Sequence, residues 1–506
     1  MKDTKVLLVS AIQKSLFYKQ APRRRALGDL GIRYIASYLI ENGIEADILP
    51  SYDYTRENLI AFLESHPSVV AVGFSMHTIS ADNSLSDARA IKERFPHIKI
   101  WLGGFLPTFG WKFLLDTDTP FDYIMRGDGE VATLEMVRNF LSGNENFAIK
   151  GLIRRGDEST YNDEFCASAP IYNLPFPYFC NRDKEQNVGE YMISASRGCY
   201  GNCSFCSIPA FSLGRKERPI ESVVKEMSVL KNEYGATFID FVDDSFLGAT
   251  NGLERAIEFS QLTKQENARL PYRISIRSNN VNDETLSHLK ESGLLAVQLG
   301  VESFSPRQLK LYRKGISAER AIEAIRTLEK NQVYVQSGLI LFEPSTTLED
   351  LKCNARVLMN EKWAVVKGNA QAFFCAEGTS MAKQLKENGM CNLGVEGYLN
   401  YKWEYSHKEV GIVRQIIMEY EKSLGFYSNI LVDAITPPSP LSSEDYMAMR
   451  KYQNEYQRLS FEVLLMACEG VENGKSSLTI LEEINNRLGK KFADIIARAK
   501  EIIEEN

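Results

Sequence analysis

Short apolar runs alternate with helix-spaced segments along the first 150 residues. Val6–Ser10, Ala46–Leu49, Val69–Phe74 and Ile98–Leu102 are each too short for a helix and predict buried strands. Between them, Asp29–Asn42 puts Leu30, Tyr34, Ile35, Tyr38 and Leu39 on one helical face, and Gly43 stands where such a helix stops. Ser84–Arg94 is a further helical stretch. This alternation predicts a parallel sheet covered by helices on both faces.

The rhythm lapses over residues 151–190, where Asn173-Leu-Pro-Phe-Pro-Tyr-Phe179 is an extended, Pro-broken segment suited to a linker. A second series then begins. Its strand candidates are Tyr191–Ser196, Thr237–Val242, Arg273–Arg277, Ala296–Gly300, Tyr334–Phe342 and Val365–Phe374. Pro219–Glu233, Glu284–Ser292, Ala318–Lys330 and Leu348–Asn360 are helical stretches between them. Six such units predict a partial (β/α)6 barrel of TIM type, with functional residues at the C-terminal strand ends. Beyond residue 394 the pattern is helical, with Val410–Leu424, Glu444–Glu469 and Ser477–Glu504 as the strong candidates. The expected divisions are 1–150, a linker 151–190, a barrel 191–394 and a helical region 395–506.

At 506 residues the chain has room for roughly three domains and needs no covalent staples. The net charge is 59 − 66 = −7, which argues against general nucleic-acid binding. No apolar run reaches the roughly 18 residues of a membrane span. Val6-Leu7-Leu8-Val9 behind Lys2 and Lys5 is too short for a signal peptide, and Gln13-Lys14 follows it. Nine cysteines are too sparse for a disulfide scaffold and odd in number, which suits a cytoplasmic, reducing setting.

The densest chemistry lies in Ser196-Arg-Gly-Cys199-Tyr-Gly-Asn-Cys203-Ser-Phe-Cys206. Three thiols at C-x3-C-x2-C spacing, with Gly198 and Gly201 to let the loop curl, can converge on one small object. A [4Fe–4S] cluster takes four thiolates, so this loop would leave one iron open to a non-protein ligand. A zinc site would want a fourth Cys or His nearby, and none of the five histidines falls within 70 residues. The loop resembles the signature of the radical S-adenosylmethionine (SAM) superfamily, with Phe205 as the aromatic residue before the last cysteine. The resemblance implies that Cys199, Cys203 and Cys206 bind the cluster as metal ligands. SAM would chelate the open iron and be cleaved reductively to a 5′-deoxyadenosyl radical. An external donor such as flavodoxin or ferredoxin would supply the electron.

Further pieces recur in family order over roughly residues 190–390. Phe241-Val-Asp243-Asp244-Ser-Phe246 resembles the acidic motif placed against the SAM amino group; a solvated turn or helix cap is the plain alternative. Ile274-Ser-Ile-Arg277-Ser278 resembles the segment near the SAM carboxylate, its alternative being a surface ion pair. Gln298-Leu-Gly300-Val-Glu302-Ser303 resembles a Gly-x-Glu-Ser motif, which would set Glu302 against the ribose hydroxyls. Arg313-Lys314-Gly315 and Gly378-Thr379 are also similar to family elements.

The first domain lacks a G-x-G-x-x-G after its first strand, so dinucleotide binding is poorly supported. It resembles the Rossmann-like (flavodoxin-like) cobalamin-binding domain found upstream of many such barrels. The matching pieces are Leu30-Gly-Ile-Arg-Tyr-Ile-Ala36, Gly73-Phe-Ser75, Leu102-Gly103-Gly104 and Arg126-Gly127-Asp128-Gly129-Glu130. The resemblance makes Ser75, Gly103 and Gly104 candidate cobalamin contacts. D-x-H-x-x-G is absent, and Phe105-Leu106-Pro107-Thr108 follows the glycine pair where relatives carry His before Pro. His77 could be a cobalt ligand or a structural His. Arg23-Arg24-Arg25 with Lys19 could meet an anionic group or form a solvated loop.

In the last region Tyr398, Tyr401, Trp403, Tyr405, Tyr420, Tyr427, Tyr446, Tyr452 and Tyr456 could line a substrate pocket or simply pack helices. Cys375 and Cys391 could serve a second cluster or the substrate; like Cys166, Cys180, Cys353 and Cys468 they also fit as small buried hydrophobes. Three readings stay open. One is a radical SAM enzyme that methylates an unactivated carbon of a small-molecule or peptide substrate through cobalamin. Another is a cobalamin-independent dehydratase or rearrangement enzyme acting on a sugar-like or polyol compound. The last is an iron–sulfur electron carrier.

Overall fold

Adjacent residues of the first strand fall into different cores. In β1 (Val6–Val9), Leu7 and Val9 pack on one side of the sheet, Val6 and Leu8 on the other. Such period-2 burial on both faces is what helices above and below a parallel sheet impose. The computed structural model describes residues 3–12, 29–180, 183, 185, 189–212, 214–361, 365–366, 370–392 and 401–505. Arg23-Arg24-Arg25, Lys19, Gln13-Lys14 and Tyr398 lie outside the described residues.

β1 sits between β2 (Ala46–Leu49) and β3 (Ala71–Ser75), parallel to both. β4 (Lys99–Gly103) and β5 (Tyr123–Met125) extend the sheet in parallel, and β6 (Leu152–Arg154) closes it antiparallel to β5. The order is β2-β1-β3-β4-β5-β6. β5 and β6 are not among the expected strands: each is three residues long, too short to carry a period. β6 draws the start of the segment read as a linker into the first sheet.

The second sheet is the expected six-stranded partial barrel. It comprises β7 (Glu190–Ile193), β10 (Phe238–Phe241), β11 (Tyr272–Arg277), β12 (Leu294–Glu302), β13 (Tyr334–Leu339) and β14 (Val365–Val366), all parallel. A small antiparallel ribbon, β8 (Ser196–Arg197) with β9 (Lys216–Glu217), stands between β7 and β10 in sequence and brackets the cysteine loop. Among the described residues the sixth strand is Val365–Val366, where Val365–Phe374 was expected, and an isolated bridge joins Phe342 to Ala372. The C-terminal helices Lys408–Ser423, Tyr427–Ile435, Ser443–Glu472, Ser477–Ile484 and Lys490–Glu505 share the barrel's core. The stretch Ser477–Glu504 is thus two helices, joined by the π-turn Asn485–Gly489. No helix among the described residues is long and apolar enough to cross a membrane.

Candidate functional site

The cysteine loop leaves β8 through Gly198, whose φ of 78° and close packing both demand glycine. A Cβ there would stand 2.3 Å from the Gly214 carbonyl oxygen. The middle of the loop is pinned to the barrel mouth by Ser204. Its N–H donates to the Tyr312 carbonyl at 3.0 Å, its hydroxyl to the Leu311 carbonyl at 2.9 Å, and its own carbonyl accepts from Met381 N–H at 2.9 Å. Phe205 packs edge-on against Tyr312, with centroids 5.6 Å apart. Cys203 is 7% exposed, and Cys199 and Cys206 are half-buried. Burial pushes the Cys206 thiol up to about 11. Among the described residues, no three His, Cys, Asp or Glu side chains converge on a single metal ion. A cubane instead takes each thiolate on a separate iron.

The loop caps a cavity of about 440 Å³ at the C-terminal ends of β10–β12. All three cysteines line it, as do Phe205, Asp243, Asp244, Arg277 and Glu302. Arg277 reaches the thiols: its Nη1 donates to Cys203 Sγ at 3.4 Å, Nη2 donates to the Lys314 carbonyl, and the guanidinium lies 5.3 Å from the Tyr200 ring centroid. Glu302 has a φ of 68°, a costly conformation for a side-chain-bearing residue, and its Oε1 accepts from Lys314 Nζ at 2.9 Å. Lys314, noticed in the sequence only within Arg313-Lys314-Gly315, is therefore part of the cavity wall. Ser278 is buried in a 3-10 turn and is not among the residues lining the cavity.

The two neighbouring acids differ. Asp243 is 2% exposed, and both of its oxygens are engaged, Oδ2 by Ala195 N–H at 2.9 Å and Oδ1 by the Ser196 hydroxyl. It braces the root of the cysteine loop against β10. The Asp244 side chain is exposed to the cavities, and the partial loss of solvent there together with the Asp243 charge raises its carboxyl to about 6. Asp243→Ala should leave the Ala195 N–H unmet, while the Ser196 hydroxyl retains the Ser245 carbonyl at 3.3 Å. The expected cost is about 1–3 kcal/mol, read as a lower urea midpoint together with lower iron occupancy after reconstitution.

A second cavity, of about 330 Å³, opens between the C-terminal edge of the first sheet and the barrel. Ser75, Gly103 and Gly104 line it, with Gly31, Gly73, Gly127 and Gly129. Trp101 lies across Gly73 so closely that a Cβ there would stand 2.1 Å from the indole. His77 is not among the lining residues; it starts the turn Thr78–Ser80, its N–H donating to Ser80 Oγ at 3.0 Å. Glu130 is 3% exposed on the wall; Oε1 accepts from Arg197 Nη2 at 2.6 Å, and Oε2 has no hydrogen-bond partner among the described residues. Arg197 precedes the cysteine loop and also approaches Asp128 at 3.6 Å, while its guanidinium lies over Tyr34. Arg218 joins the same seam, donating to Tyr34 Oη at 3.2 Å and Glu226 at 2.6 Å. Sequence reading missed this ionic seam because its members come from distant segments. The two cavities share Ile208, Val242 and Asp244 as lining residues.

The described C-terminal aromatics line neither cavity. Trp403 packs edge-on against Tyr405 and donates to the Phe373 carbonyl at 3.0 Å, and Tyr456 packs against Phe492. Cys375 and Cys391 are buried in a cluster with Tyr312 and Tyr401; Cys166, Cys180 and Cys468 are buried and Cys353 is half-buried.

Residues 193–352 match the family model of the Radical SAM superfamily, and residues 23–137 match that of the B12 binding domain. An uncharacterized methyltransferase of Pyrococcus horikoshii is 28% identical over 373 residues, which span 70% of this chain and 78% of that protein. The hopanoid C-3 methylase of Methylococcus capsulatus is 25% identical, over 62% of this chain and 61% of that protein. Among solved structures, the cobalamin-dependent S-adenosylmethionine radical enzyme OxsB, with aqua-cobalamin bound, matches with a TM-score of 0.80. It is 16% identical, with 99% of this chain and 79% of that chain covered. The radical S-adenosylmethionine methyltransferase TsrM from Kitasatospora setae, with cobalamin and [4Fe-4S] cluster bound, matches with a TM-score of 0.60. It is 17% identical, covering 77% and 75% of the two chains.

Proposed function

We propose that this chain, a radical SAM enzyme carrying a B12 binding domain ahead of its barrel, methylates an unactivated carbon of a small-molecule or peptide substrate, with cobalamin as methyl carrier. One observation carries the reading: the thiol-capped cavity and the glycine-lined cavity meet at Ile208, Val242 and Asp244. A carbon held there would be open to a hydrogen-abstracting radical from one side and to a methyl donor from the other.

The residues present fit both groups. Three thiols without a fourth protein ligand suit a cluster that keeps one iron for SAM. In the glycine-lined cavity Gly31 and Gly103 leave open the space a side chain would take, which admits a flat macrocycle close to the backbone, and the orphan Glu130 Oε2 offers an acceptor for amides on its rim. When bound, the cluster supplies the electron that cleaves SAM, and cobalamin supplies the methyl group.

In this reading Cys199, Cys203 and Cys206 hold the cluster. Arg277 neutralises thiolate charge and offers N–H groups to a carboxylate. Phe205 walls off water. Glu302, oriented by Lys314, accepts from ribose hydroxyls. Ser75, Gly103 and Gly104 face the corrin. Asp243 and Arg197 keep the loop in register with both cavities. Free thiols and an oxygen-sensitive cluster suit the cytoplasm, with reduced flavodoxin or ferredoxin as electron donor.

Oxygen-free reconstitution tests the reading. Protein loaded with iron, sulfide and hydroxocobalamin should retain corrinoid absorbance through gel filtration and release 5′-deoxyadenosine with SAM and reductant. Release without retained corrinoid would favour the cobalamin-independent dehydratase; no release would favour an electron carrier.

A further inference from the structure

We propose that Asp244 anchors the substrate, and that the substrate carries an amine or hydroxyl on or beside the carbon that is methylated. The inference rests on the methylation reading and deepens it by assigning a substrate class.

Position comes first. Of the three residues shared by the two cavities, Ile208 and Val242 present only hydrocarbon. Asp244 alone brings polar side-chain atoms to the place where the substrate carbon must lie.

Four carboxylates line the thiol-capped cavity: Asp240, Asp243, Asp244 and Glu302. Asp240 is held by Arg273, whose Nε donates to it at 2.9 Å. Both oxygens of Asp243 are engaged by the root of the cysteine loop. Glu302 is paired with Lys314 at 2.9 Å. Asp244 is exposed to both cavities and is paired with no cation among the described residues. A carboxylate has about four acceptor sites, so most of its capacity faces the gap.

The energetics then define the ligand. Where bound occupants displace water from the cavities, a carboxylate without a partner is costly to keep dry. An ammonium or hydroxyl would meet it with a charge-assisted hydrogen bond, short and directional. That bond fixes one atom of the substrate beside the reacting carbon and so decides which hydrogen faces the radical. A purely hydrocarbon substrate would leave Asp244 unmet.

The experiment uses the holoenzyme, loaded with cluster and hydroxocobalamin. It is incubated without oxygen with reductant, SAM carrying a trideuterated methyl group, and a small-molecule extract of the source cells. Mass spectrometry then finds the labelled product. An amino or hydroxyl group on the methylated carbon or its neighbour is expected; a labelled product with neither overturns the proposal, and this arm needs no variant. Asp244→Asn holoenzyme of equal iron and cobalt content should lose labelling about 100-fold, the scale of a misplaced reactant, while its Kd for SAM stays within about twofold. A tenfold weaker SAM Kd would assign Asp244 to the SAM ammonium and overturn the proposal. Should Asp244→Asn fail to load, Asp244→Ser takes its place in the same two measurements. No labelled product from the unaltered enzyme, with 5′-deoxyadenosine released, sinks the methylation reading itself and this inference with it.

Discussion

Cys203→Ala should yield a folded protein without a cluster. Reconstituted wild-type protein should hold about four iron and four sulfide per chain; the variant should fall to background in both, and its release of 5′-deoxyadenosine should fall to that of SAM and reductant alone. The fold should survive because the loop does not hang on this thiol. Ser204, next in the chain, ties it to the Tyr312 and Leu311 carbonyls and to Met381. The lost contact is one donation from Arg277 at 3.4 Å, and that guanidinium retains the Lys314 carbonyl and the Tyr200 ring. The cluster should not survive because no fourth cysteine lines the cavity among the described residues. Cys375 and Cys391 are buried in a hydrophobic cluster behind Phe205 and Tyr312. Wild-type iron content in a well-folded Cys203→Ala protein would dissolve the assignment of the triplet.

This site was legible where its chemistry is local in the chain. Three thiols within eight residues declare themselves, and so do glycines at the ends of apolar runs such as Gly73-Phe-Ser75 and Leu102-Gly103-Gly104. The strands that carry them were legible because buried parallel strands concentrate apolar residues. What stayed hidden depends on distance or on a single peptide's orientation. Asp243 and Asp244 read as one acidic pair, yet just past the end of β10 one turns to the cysteine-loop root and the other meets both cavities. No pattern decides which of two adjacent acids does which. Tyr427–Ile435 was hidden as a helix because it starts after Phe426 in a left-handed conformation and ends at Thr436-Pro-Pro, with no usual capping residue. The seam of Arg33, Arg197 and Arg218 was hidden for another reason. Arg197 and Arg33 find their acids only after the chain has folded: Arg197 and Glu130 are 67 residues apart, Arg33 and Asp183 150.

Arg33→Ala should cost about 3–5 kcal/mol at neutral pH, the usual penalty for stranding one member of a buried pair. Arg33 is 1% exposed and Asp183 is 0% exposed. Two parallel bonds join them, Nη1 to Oδ2 at 2.8 Å and Nη2 to Oδ1 at 2.9 Å. Tyr52 Oη donates to the same carboxylate at 2.8 Å and Cys180 N–H at 2.7 Å. Those two donors would remain in the variant, but no cation among the described residues would. The sign of the pH dependence separates this account from simple loss of packing. In the wild type, burial pushes the Asp183 carboxyl up, but Arg33, Tyr52 and Cys180 outweigh it and hold it below the ordinary value. Its contribution is therefore present above the unfolded value, about 3.9, and is lost only as pH falls through the lower folded value. Without Arg33, burial should dominate and the folded value should rise above the unfolded one. The carboxylate would then cost most at neutral pH, and the deficit should shrink as pH falls toward 4. Urea unfolding of both proteins at pH 7 and pH 5 reads this directly. A deficit that is equal at the two values, or below about 1 kcal/mol at pH 7, would show that the pair is screened as a surface pair is. A functional consequence follows from position. The helix Leu30–Glu41 that bears Arg33 supplies Leu30, Gly31, Ile32, Tyr34 and Ile35 to the glycine-lined cavity, and Asp183 precedes the first barrel strand. Loosening this joint should therefore weaken hydroxocobalamin retention more than it lowers the iron content of the cysteine loop, whose root touches this helix through Arg197 over Tyr34. Replacing both partners with hydrocarbon, Arg33→Met with Asp183→Leu, should recover most of the lost stability, since a buried pair exchanged for well-packed apolar groups costs little.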